Sequence, residues 1–118
     1  MKNSNIKNST NSHEVWKKVG TSEKGHRVYY VSNQGRCKTV NAKTGRVISL
    51  NRGVKNAYTG YMVFAGNLVH RLVCQAFNGL PRDPEAKYVC HKNATKEDNR
   101  ANNLSWGTCA ENNNNELT

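Results

Sequence analysis

The chain has 118 residues, 36% of them hydrophobic, and a mean hydropathy of −0.84, which fits one domain or two small modules sharing a modest core. No apolar run approaches the roughly 20 residues of a membrane helix, and the polar start lacks the apolar stretch of a secretory signal; a membrane partner is excluded and a cytoplasmic protein is expected. The formal charge of +10 is uneven, +8 over residues 1–50 and +2 over the remainder, and such a field draws polyanions, DNA or RNA foremost, the alternative being a merely solvated basic surface.

Residues 1–12, rich in Asn, Ser and Lys without periodicity, read as a disordered basic arm. Residues 14–19 read as a short turn or strand anchored by Trp16. Residues 28–31 and 36–40 read as strands around a Ser32-Asn33-Gln34-Gly35 turn, with a further strand at 46–50 after a turn at 41–45. A hairpin is expected over 58–68 with Gly66-Asn67 as its turn. The period then changes: Val69, Leu72, Val73, Ala76 and Phe77 fall at helical spacing and give one apolar stripe for packing beneath the sheet. Gly79, Pro81 and Pro84 end that helix. Two short apolar runs at 88–91 and 103–108, joined by a polar loop, read as a last hairpin. Thr108 with Glu111 three residues on is a capping-box signature for a terminal helix. The fold class expected is α+β, with small antiparallel sheets and two short helices, one central and one terminal.

Cys37, Cys74, Cys90 and Cys109 are widely spread with no Cys-x-x-Cys pair, which favours neither a zinc ribbon nor a redox dithiol, and in a chain without an export signal they are expected reduced. Cys37 and Cys74 lie in apolar-patterned segments and read as core. The last hairpin and its helix bring Cys90, His91, Asn103 and Asn112 together. A base, metal-ligating groups and a positive chain are what metal-assisted phosphodiester cleavage requires.

The ordered set His91, Asn103 and Asn112, with Val69-His70-Arg71-Leu72-Val73 upstream, resembles the HNH endonucleases of phages and mobile introns. Glu14-Val15-Trp16-Lys17-Lys18-Val19 and Tyr30-Val31-Ser32-Asn33-Gln34-Gly35-Arg36 are similar to the Trp and V-S-N-x-G segment that often precedes such modules, so the resemblance covers about residues 14–114. It implies a C-terminal ββα-metal nuclease motif and a division into the arm at 1–12, a β-rich DNA-binding module at 13–68 and the nuclease module at 69–118.

The resemblance also implies roles. His91, at the end of an apolar run, is the general base that activates water, a task an imidazole can perform near neutral pH. Asn112, or Asn113 if the register slips by one, supplies a neutral oxygen to a divalent cation; a fraying polar tail is the alternative for that run. Asn103 ties the loop across and orients the strand that carries the base. His70 and Arg71 open the central helix near the active centre, where basic side chains and backbone amides can meet a phosphate; hydrogen bonding that ties helix to sheet is the other reading of His70. Arg71 and Arg100 are candidates for stabilising the scissile phosphate, Arg36 for binding DNA, and Trp106 for the core.

Two positions depart from the pattern. The residue before the base is commonly a metal-ligating Asp and is Cys90 here; Mg²⁺ or Mn²⁺ remains the expected ion, while a thiolate brings Zn²⁺ or another transition metal into range. The family's Asp-Gly turn is replaced by Asn93-Ala94, and because Ala tolerates left-handed angles poorly a locally different turn is expected. The function implied is a metal-dependent DNA endonuclease of the nicking or homing type, acting as a monomer that nicks or a homodimer that cuts both strands. Since the chain stops at Thr118, only modest sequence preference is expected. Two other classes stay open: a DNA-binding module without cleavage, and a zinc-stabilised structural or RNA-binding protein using Cys90, His91 and Cys109.

Overall fold

The structure, a computed structural model, describes residues 13–81 and 88–107. The expected arm at 1–12, the terminal helix with Thr108 and Glu111, and Pro84 and Cys109 lie outside the described residues.

Four strands, β1 (Trp16–Thr21), β2 (Arg27–Ser32), β3 (Cys37–Asn41) and β4 (Val47–Asn51), form an antiparallel sheet in that order. Side chains alternate across the pleat, so Val31, Cys37 and Thr39 share one buried face while Tyr30 and its cross-strand partner Lys38 share the other. A second sheet consists of β5 (Val54–Lys55), β6 (Met62–Phe64) and β7 (Asn67–Leu68), and β7 runs straight into helix α1 (Val69–Asn78). The last hairpin pairs β8 (Tyr88–His91) with β9 (Leu104–Gly107), separated by a loop and a short 3₁₀ turn, Ala101–Asn103.

Helix α1 is the centre of the molecule. Its buried residues Val69, Val73 and Cys74 join Val31 and Cys37 from the four-stranded sheet and Val89 and Leu104 from the last hairpin in one cluster. The same helix stripe thus covers both sheets. Its C-terminal end is tied on both sides: Lys17 Nζ donates to the Ala76 carbonyl at 2.9 Å, and Asn78 Nδ2 donates to the carbonyls of Ala101 and Leu104 at 3.0 Å each. Gly79 ends the helix at φ 77°, a left-handed angle open to glycine. Trp106 packs half-buried against the core, its indole N–H on the Gly79 carbonyl at 2.8 Å. Burial pushes the Cys37 thiol up to about 12, as suits a core residue.

The described residues form small antiparallel sheets and one helix, an α+β arrangement. Three local expectations change. The hairpin before α1 turns at Ala65-Gly66, φ 53° and 78°, one residue earlier than Gly66-Asn67, because Asn67 already pairs with Phe64. Tyr58 belongs to no strand and is 98% exposed; it sits on a loop organised by Asn56 Oδ1, which accepts from the amides of Tyr58 and Thr59. The two-residue strand Val54–Lys55 was too short to carry a period and escaped the sequence pattern.

Candidate functional site

In the last hairpin, Leu104 pairs with His91 and Ser105 with Cys90. Alternation buries Val89 and His91 on one face and leaves Tyr88 and Cys90 half-buried on the other. His91 is 1% exposed, so its imidazole is enclosed rather than open to solvent. Its Nε2 lies 2.7 Å from Asn99 Oδ1. An amide oxygen only accepts, so Nε2 carries the proton and the basic lone pair stays on Nδ1. On the ring faces, His91 packs against His70 with centroids 5.0 Å apart, and His70 against Tyr61 at 4.8 Å. The Lys96 ammonium lies 4.8 Å from the Tyr61 ring centroid.

The loop between the strands is held by amide side chains. Asn103 accepts from the Asn93 amide at 3.2 Å and donates from Nδ2 to Asn93 Oδ1 at 3.0 Å and to the Asp98 carbonyl at 2.9 Å. Its own carbonyl takes the Lys92 amide at 2.9 Å. One residue therefore braces both sides of the loop that begins at the imidazole. Ala94 adopts φ 62°, so the turn forms with left-handed geometry despite lacking glycine, at a cost of about 1–2 kcal/mol. Arg100 grips Asp98 through Nε and Nη2 at 2.8 and 2.7 Å, and with Asn93 holds that carboxyl at about 2, well below the usual carboxylate range.

Two turns of the N-terminal half clasp this loop. Gly35 approaches so closely that an added Cβ would lie 2.7 Å from the Asn99 carbonyl carbon, and the Asn33 carbonyl accepts the Ala101 amide at 2.8 Å. On the other side Lys55 pairs with Glu97 at 2.7 Å, and Lys96 Nζ donates to the Thr59 carbonyl at 2.9 Å.

The remaining sequence candidates are dispersed. His70 is fully buried, packed against both Tyr61 and His91, which also meet each other at 6.2 Å between centroids, and does not sit where a surface phosphate would meet it. Arg71 is half-buried with its guanidinium over Trp106, 5.6 Å from the ring centroid. Arg36 is engaged by Glu14, donating from Nε at 2.9 Å, and the pair holds the Glu14 carboxyl below its ordinary value. Arg100 is exposed but bound to Asp98. Asn112 and Asn113 lie outside the described residues. Among the described residues no three His, Cys, Asp or Glu side chains gather, Cys90 and His91 point to opposite faces, and Asp98 is occupied by Arg100 and Asn93. By themselves these donors fit neither a hard divalent ion nor a structural zinc.

The candidate site is thus a buried histidine at the end of a hairpin strand, with one asparagine at its Nε2 and another bracing the loop that follows. The family model described as "HNH endonuclease" matches residues 67–114, from β7 through the hairpin. Over this segment the chain is similar to HNH endonucleases. Over 113 residues the chain is 36% identical to a protein of Acanthamoeba polyphaga mimivirus named an uncharacterized HNH endonuclease, an alignment that takes in 89% of this chain and 26% of that relative. The chain thus spans about a quarter of the relative's length. No solved structure matches significantly.

Two residues of this cluster, Asn99 and Tyr61, carry no signal of their own in the sequence. Asn99 is one asparagine in a polar loop, and no local pattern sets it apart from Asn93 or Asn102. Only the eight-residue separation from His91, which the hairpin closes, brings its amide to the imidazole. Tyr61 lies in a segment of turns and meets His70 at the start of α1 and His91 on β8 only through the tertiary fold.

Proposed function

We propose that this chain is the DNA-cleaving part of an HNH endonuclease, hydrolysing phosphodiester bonds with His91 as general base. The observation that carries the reading is the bond from His91 Nε2 to Asn99 Oδ1, 2.7 Å long, which keeps the other ring nitrogen basic. In the reaction His91 takes a proton from water as its oxygen attacks phosphorus, the bond to the 3′-oxygen breaks, and that oxygen leaves to be protonated by solvent. The products are a 3′-hydroxyl and a 5′-phosphate. Asn99 and Asn103 orient the base and its loop.

DNA as substrate is supported by the family and by charge. On the outer face of the four-stranded sheet, Lys38 Nζ lies 4.3 Å from the Trp16 ring centroid and 5.2 Å from that of Tyr30, with Lys18 exposed beside Tyr30 across the strands. Such a basic and aromatic face suits a phosphate backbone, with affinity falling steeply as salt rises. Arg71, half-buried at the start of α1, remains a candidate for the scissile phosphate; Arg36 and Arg100 would first have to leave their carboxylates.

Dependence on a divalent cation belongs to the same proposal on family grounds. The motif assigns the ion to Cys90 and Asn112; since the described donors make no complete site, the ion would need Asn112 and further oxygens to hold it, and it would neutralise charge on the phosphate. Mg²⁺ or Mn²⁺ suits that task, and the Cys90 sulfur makes Zn²⁺ the informative comparison. One site cuts one strand, so a monomer nicks and a homodimer cuts both. The relative named above is viral, and action in the cytoplasm of an infected cell, in a phage or homing setting, is part of the reading.

The test is nicking of supercoiled plasmid with Mg²⁺, Mn²⁺, Zn²⁺ or EDTA. Wild type is expected to nick with a divalent ion and His91→Ala to lose about 100- to 10,000-fold in rate. A second reading, a DNA-binding chain that does not cut, draws on the 1% exposure of His91, since water must reach a general base. DNA bound but left supercoiled with every ion would establish that reading instead.

A further inference from the structure

We infer that the turn at residues 32–36, in the N-terminal sheet, is a positioning element for His91, acting through Asn99. The inference rests on the reading of His91 as the base, but its structural core does not need catalysis to be tested.

The turn is a rigid piece. Ser32 Oγ accepts from the amides of Gln34 and Arg36 at 3.1 and 3.2 Å and donates to Glu14 at 2.6 Å. Asn33 Oδ1 accepts the Val15 amide at 2.8 Å, Asn33 Nδ2 donates to the His13 carbonyl at 3.1 Å, and Arg52 Nη1 donates to the Gln34 carbonyl at 3.1 Å. A turn held from residues 13–15 ahead of β1, from Arg52 just past β4 and from its own serine has little freedom to shift.

That rigid piece bears directly on the residue that orients the imidazole. Gly35 is buried at φ 82°, and its missing Cβ is what lets the backbone of Asn99 and Arg100 lie against it: an added carbon would stand 2.7 Å from Asn99 C, 2.8 Å from Asn99 O and 3.1 Å from Arg100 N. Two residues away the Asn33 carbonyl takes the Ala101 amide at 2.8 Å. Residues 99–101 are therefore pinned at both ends against the turn. The Asn99 side chain, 2% exposed, places its Oδ1 2.7 Å from His91 Nε2. Asn103 holds the near side of the loop from within the hairpin; the turn holds the far side from another sheet. The V-S-N-x-G segment is thus part of the nuclease site by contact as well as a neighbour of it in sequence.

The experiment reads the tautomer of His91 in the full chain by long-range ¹H–¹⁵N correlation at a pH where the ring is neutral, with its signals identified by their loss in His91→Ala. Wild type is expected to show the proton on Nε2. Asn99→Ala should give a mixture of tautomers, and Asn99→Asp, which still offers an accepting oxygen, should restore the Nε2–H form. Gly35→Ala should behave like Asn99→Ala, whereas Gly45→Ala, a turn glycine with nothing within 4 Å, should behave like wild type. Should Gly35→Ala fail to fold, Ser32→Ala loosens the same turn without adding atoms and is expected to shift the tautomer in the same direction. In nicking assays Gly35→Ala should lower kcat by on the order of 100-fold with KM and DNA affinity unchanged, as a misplaced catalytic group does. A pure Nε2–H signal in folded Gly35→Ala or Ser32→Ala overturns the inference. If wild type never cuts, the functional reading falls while the tautomer measurement still decides the coupling.

Discussion

Two turns of the same sheet make an instructive pair. The turn at 32–36 joins β2 to β3, and the turn at 42–46 joins β3 to β4 at the opposite end. Locally they are alike. In each a short polar side chain caps the turn amides, Ser32 in one and Asn41 in the other, and a glycine near φ 80° closes it, Gly35 at 82° and Gly45 at 79°. Their surroundings differ: Gly35 lies against the Asn99 backbone, while nothing stands within 4 Å of a Cβ at Gly45. The same turn chemistry is a surface connection in one place and a contact with the loop of the last hairpin in the other, and only the tertiary contact tells them apart.

The largest expected effect therefore falls on the docked turn. Gly35→Ala adds left-handed strain to overpacking and should cost about 2–4 kcal/mol in denaturant unfolding, against about 1–2 kcal/mol of strain alone for Gly45→Ala. Equal losses at the two positions would erase the contrast. Next comes Asn103→Ala, which removes three side-chain hydrogen bonds of a buried residue and leaves the Asp98 carbonyl and the Asn93 amide short of partners. A loss of about 2–3 kcal/mol is expected, with amide exchange quickening over residues 92–99 before the turn at 42–46 is affected.

A smaller effect of opposite sign is expected at Ala94. Glycine there relieves the φ of 62° and should stabilise the chain by about 1 kcal/mol, seen as a higher midpoint at unchanged slope. The last is the acid response. The Asp98 carboxyl is held at about 2 by Arg100 first and Asn93 second, below its unfolded value of about 3.9. A lowered carboxyl stabilises the fold above the unfolded value, and that contribution fades as pH falls from about 4 toward 2. Backbone signals of residues 92–100 are expected to broaden across that window, and Asp98→Asn should remove this part of the response.

Most of the secondary structure was legible because it rests on local signals. Period-two alternation marked β2, β3 and β4 to within a residue, and the stripe from Val69 to Phe77 marked α1. What escaped depends on distance in the chain. A two-residue strand at Val54 carries no period, and the hairpin turn moved because Ala65 accepts a left-handed angle that sequence preference assigns elsewhere. The site divides the same way. His91 and Asn103 are singled out as candidates by an ordered motif. Asn99, Tyr61 and Gly35 owe their place to contacts across 8, 30 and 64 residues of chain. The enclosure of His91 and His70 was equally out of reach, since no linear pattern predicts that three rings from three segments will stack.

The position of α1 has a consequence for anyone wishing to move this hairpin into another protein. Val89 and Leu104 are covered by Val69, Val73 and Cys74, and those same side chains cover Val31 and Cys37. A transplant cut after Leu68 would carry away the helix but strip its other flank, and one cut after Asn78 would leave the hairpin bare. The smallest portable unit among the described residues therefore begins at β1, and chimeras that graft only the HNH segment should express as insoluble chains.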